Sequence, residues 1–99
     1  MSETRVRGRL TNPRIPDRAI QEVISYLSEK GYDEVTALMD NGASSVSFVR
    51  HARIESVVNE LVPKIEQLGY DTWNDLELTG YNGETAVSRY KQGRITRNY

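Results

Sequence analysis

Apolar positions recur along this chain with two different periods. Over residues 54–68, Ile54, Val57, Val58, Leu61, Ile65 and Leu68 follow an i, i+3, i+4 stripe, which predicts an amphipathic helix. Val23, Ile24 and Leu27 give a shorter version of the same signal after Pro16 and Asp17, residues suited to a first helical turn. Gly31 and Gly69 suit the left-handed position just past each helix end. Pro63 lies roughly opposite Leu61 on a helical wheel, so a kink is expected there and not a break.

After each helix the period changes to two around an Asn-Gly pair, the strongest short hairpin signal. A two-residue turn at Asn41-Gly42 sets Val35 opposite Phe48, Ala37 opposite Val46 and Asp33 opposite Arg50. A turn at Asn82-Gly83 sets Leu78 opposite Val87 and Leu76 beside Arg89. The predicted fold is α+β in the order α-β-β-α-β-β, a four-stranded antiparallel sheet with two helices on one face.

The two halves also match in sequence. IQEVISYLSEKGYD (20–33) and VNELVPKIEQLGYD (58–71) share Glu22/Glu60 and the closing Gly-Tyr-Asp, and ASSVSFVR (43–50) aligns with ETAVSRYK (84–91). This reads as one αββ unit written twice. The layout, with ISYLSEKGY (24–32), VVNEL (57–61) and GYNG (80–83), resembles the Rubisco small subunit and small-subunit-like modules. The first hairpin is shorter than that family's and lacks its Trp-rich, Lys-Leu-Pro-containing segment. The resemblance implies a non-catalytic subunit that docks on a larger partner.

Charge adds a second division. The net charge of −1 conceals +3 over residues 1–18, −8 over 19–88 and +4 over 89–99. Expected from this are a basic N-terminal arm (1–15), a folded body (16–91) and a basic C-terminal tail (92–99). Arg5, Arg7, Arg9, Arg14, Arg94 and Arg97 are then the candidate contacts to a polyanion or an acidic partner. The chain has no cysteine, no apolar run of membrane-spanning length and no secretory signal at its start, so a cytoplasmic protein is expected.

Side-chain chemistry points away from catalysis. His51 is the sole histidine and has no evident orienting partner, so a solvated or capping role is expected. Asp33 and Asp71 suit turns or salt bridges, and no glycine loop cradles a phosphate. No enzyme activity, cofactor or metal is expected. The open sheet face is predicted to carry Leu38, Val49, Trp73 and Tyr90 as a protein interface, although Glu34, Asp75 and Glu77 share it. The function expected is an interaction or assembly module, homo-oligomeric or docked on a larger protein, with nucleic-acid binding through the Arg-rich termini as the alternative.

Overall fold

The computed structural model describes residues 3–12, 17–40 and 43–97. Its elements run β1 (Arg5–Asn12), α1 (Asp17–Glu29), β2 (Asp33–Asp40), β3 (Ala43–Arg50), α2 (Ile54–Gln67), α3 (Thr72–Asp75), β4 (Leu76–Asn82), β5 (Thr85–Lys91) and β6 (Arg94–Thr96). All strand pairs are antiparallel, in the order β2-β3-β1-β4-β5-β6. The class is α+β as expected, but the described sheet has six strands instead of four. The αββ units are separated in space by β1, whose neighbours are β3 and β4. The first four strands with α1 and α2 make the split β-α-β arrangement of ferredoxin-like folds, extended at the β4 edge.

The segment expected to be a free basic arm is thus the central strand. Its sequence alternates, with Val6 and Leu10 fully buried between exposed Arg7 and Arg9. Flanked on both edges, β1 satisfies its backbone groups in two ladders and feeds its apolar positions to the core. The C-terminal tail likewise adds β6, closed by a tight turn with positive φ at Gln92 and Gly93.

Helices and sheet share one core. Ile54, Val57, Leu61 and Ile65 of α2, with Ile20, Val23 and Leu27 of α1, pack on Val6, Leu10, Val46, Phe48, Leu76, Leu78 and Tyr90 of the sheet. The helix runs through exposed Pro63. The repeated Gly-Tyr has a local cause: it ends a helix in the same way twice. Tyr32 N–H donates to Leu27 O and Gly31 N–H to Ser28 O, while Tyr70 donates to Ile65 O and Gly69 to Glu66 O. Both are Schellman caps, with Gly31 at φ 85° and Gly69 at φ 90°. After them the copies diverge, because Asp71 caps the extra turn α3 through Trp73 N–H at 2.8 Å.

Two registers depart from expectation. Ala37 does oppose Val46, but a bulge between Asp33 and Thr36 moves Asp33 opposite Val49 instead of Arg50, and Ala37 is exposed on the edge strand. In the second hairpin Asn82 pairs with Thr85, so the turn falls on Gly83-Glu84. Gly83 (φ 64°) occupies the first turn position, where a type II′ hairpin favours glycine. With a further bulge past Gly80, Leu78 then opposes Tyr90, not Val87.

Candidate functional site

The helix-free face of the sheet collects cations from three strands. On β1, Arg7 and Arg9 alternate with the buried positions and point away from the core. Their Cα atoms are about 6.8 Å apart, two residues along an antiparallel strand. Arg7 is opposite Val49 on one side and Thr79 on the other, and Thr79 is opposite Arg89. The row continues to Thr96. The next row runs from Thr36 through Ser47 and Arg9 to Glu77. Because Tyr90 and its partner Ile95 face the core, Lys91 and Arg94 project on this same open side.

Among the described residues, Arg7, Arg9, Arg89 and Arg94 make no hydrogen bond, ion pair or ring contact. Three described carboxylates belong to the face: Glu34, Glu77 and Asp33, the last opposite Val49 in the Arg7 row and 3.7 Å from His51. Glu77 is engaged by Lys91 at 3.7 Å, and Glu34 carries no side-chain partner. Arg5, beside them, is committed: it lies 5.0 Å over the Tyr81 ring and donates to Gly83 O. Between the strands lies a depression of about 390 Å³, lined by Arg7, Arg9, Glu34, Thr36, Ser47, Val49, Glu77 and Thr79. Guanidiniums and hydroxyls at this spacing suit an anionic, oxygen-rich ligand.

The four residues expected to form an apolar interface are not brought together. Leu38 is exposed on the edge strand β2. Val49 faces the depression but is only 4% exposed, with Arg7 and Asp33 as its cross-strand neighbours. Tyr90 is on the opposite, core side, a consequence of the bulge in the second hairpin. There burial, first of all, pushes its hydroxyl up from the ordinary value of 10. Trp73 is exposed, but on α3 against Gly93 and not on a strand.

The arginines expected on arms also divide. Arg5, Arg7 and Arg9 belong to β1 and Arg94 to β6, while Arg14 lies outside the described residues. Arg97 turns to the helix side and pairs with Glu3 at 3.2 Å and with Glu55. His51 is exposed, 3.7 Å from Asp33. Among the described residues no three His, Cys, Asp or Glu side chains converge as metal ligands would, and no helix is long and apolar enough to cross a membrane. What sequence reasoning missed is the joining of Arg7 and Arg9 with Arg89 on one surface. The alternation RVRGRL was the available signal.

Comparison with protein-family models, curated proteins and solved structures gives no match to the chain.

Proposed function

We propose that this chain is a binding module that holds a single-stranded nucleic acid by its phosphates on the open face of the sheet. The observation that carries this reading is the set of unpaired guanidiniums, Arg7, Arg9, Arg89 and Arg94, on one solvent-facing surface. Unpaired cations in such number repel one another, and phosphate neutralises them with release of counterions. Hydroxyls of Thr36, Ser47 and Thr79 stand among them to meet phosphate and sugar oxygens. A sheet face offers no element to insert into a duplex groove, whereas a single strand can lie across it. The acidic overall balance does not oppose this. The glutamates of α1 and α2 are a layer away, roughly 10 Å, about the Debye length at physiological salt.

Isotope-labelled protein titrated with a short single-stranded DNA tests the reading. Amide shifts should concentrate on β1, β4 and β5 and spare α1 and α2; shifts concentrated on the helices would reject it.

The charge segregation favours a second reading, assembly. Helices α1 and α2 carry Glu22, Glu29, Glu55, Glu60 and Glu66 against Arg18 and Lys64, so the sheet face of one copy complements the helix face of another. Such a contact is heterologous, so it builds a ring where the rotation between copies closes and an open filament where it does not. Light scattering at low salt separates the two, since assembly raises the mass without nucleic acid.

A further inference from the structure

We infer that the depression between Glu34 and Arg9 is a base-reading subsite for guanine, an inference that rests on the nucleic-acid reading above. Three observations meet there. First, Glu34 is one of two described non-glycine residues with positive φ, at 51°, inside the bulge that separates Asp33 from Thr36. Left-handed backbone at a glutamate is disfavoured, and such outliers gather at ligand sites. Second, Glu34 lines a depression that also holds Arg7 and Arg9, yet its carboxylate pairs with neither. Third, the other described carboxylates of this surface have partners, Glu77 with Lys91 and Asp33 with His51, so Glu34 is the free acceptor among them.

An ionised carboxylate only accepts hydrogen bonds, with two oxygens side by side. Its complement is a pair of adjacent donors. Among the bases, guanine alone presents this, an imino N–H next to an amino group on its Watson–Crick edge. Adenine and cytosine place an acceptor beside the amine, and thymine flanks its N–H with carbonyls. That edge is free in a single strand. With the phosphate on Arg7 and Arg9, the base extends over Val49 toward β2, where Glu34 stands.

Fluorescence anisotropy with labelled oligothymidine strands carrying one central guanosine, inosine or adenosine tests this. The guanosine strand should bind at least about fivefold more tightly than oligothymidine, the lower end of what a bidentate base contact discriminates. Inosine, which lacks the amino group, should lose most of that gain. Glu34→Gln, which puts a donor on the side chain, should abolish the preference. Equal affinity for all strands in the native protein, or a preference that survives Glu34→Gln, overturns the subsite and leaves the phosphate-binding reading standing. Binding of none of the strands overturns both.

Discussion

The side-chain stem of Glu3 lies over the α-carbon of Gly80, in space that any larger residue would fill. A Cβ at position 80 would stand 2.7 Å from Glu3 Cγ and collide with Ser88 Oγ. Glu3 is almost fully buried, accepting from Ser88 at 2.9 Å and from Arg97 at 3.2 Å. Arg97 also reaches Glu55 on α2, so both described chain ends close on the same helix. Gly80→Ala should therefore destabilise the fold by about 1–3 kcal/mol, as overpacking does. Urea unfolding measures this, and a change within about 0.5 kcal/mol would mean that Glu3 sits elsewhere.

Acid should loosen the same cluster. Burial pushes the Glu3 carboxyl up, but its backbone hydrogen bond, Ser88 and Arg97 outweigh this and hold it below its ordinary value of 4.5. A carboxyl depressed in the folded state adds stability that is fully present above the unfolded pKa and lost as pH falls through the folded one. Glu3→Gln should accordingly lower the melting temperature at neutral pH and flatten its decline below about pH 4.5. Parallel melting profiles for the two proteins across that range would contradict this.

Leu61 is 2% exposed at the centre of the α2 stripe. Leu61→Ala should cost about 2–5 kcal/mol, whereas Pro63→Ala, two residues on and exposed, should not destabilise. Denaturant midpoints for the pair would show it, and equal losses would put the wrong face of α2 in the core.

Backbone strain at Glu34 separates stability from binding. Glu34→Gly should stabilise by about 0.5–1 kcal/mol, because glycine adopts the left-handed conformation without a Cβ clash. For a domain of this size that is a rise of a few degrees in melting temperature. Glu34→Ala, which keeps the Cβ, should give no gain. Identical shifts for the two variants would show that the bulge is not strained.

Helices α1 and α2, both Gly-Tyr caps and the pairing of β2 with β3 could be read from the chain, since each rests on contacts within about five residues or on one clear period. The extra turn α3 had no such signal, and the expected Asn41-Gly42 turn lies outside the described residues. The central strand could not be read either. In RVRGRL the alternating arginines carried a charge signal that masked a period-two pattern with only Val6 and Leu10 as apolar anchors. Its partners, β3 and β4, are far along the chain, and nothing local announces them. The second hairpin failed by a smaller margin. Asn82-Gly83 marks a turn, but glycine took the first turn position, and the Val87 bulge shifted the register again. The turn shift keeps every side chain on its face, and the one-residue bulge moved Tyr90 from the solvent face to the core. It also left the surface around Arg89 polar and cationic where an apolar patch was expected.

The salt dependence of single-strand binding tests the central claim most directly. Affinity for single strands falls with log salt at a slope of roughly −0.7 per phosphate neutralised. Contact through Arg7, Arg9, Arg89 and Arg94 thus gives a slope near −3, and replacing Arg7 and Arg9 together by alanine should bring it to roughly −1.5. The paired alanine variant of Arg53 and Lys64, cations outside the sheet face, should keep the native slope. A native slope that the Arg7/Arg9 variant leaves unchanged, or the absence of salt-dependent binding, would contradict the assignment of this face.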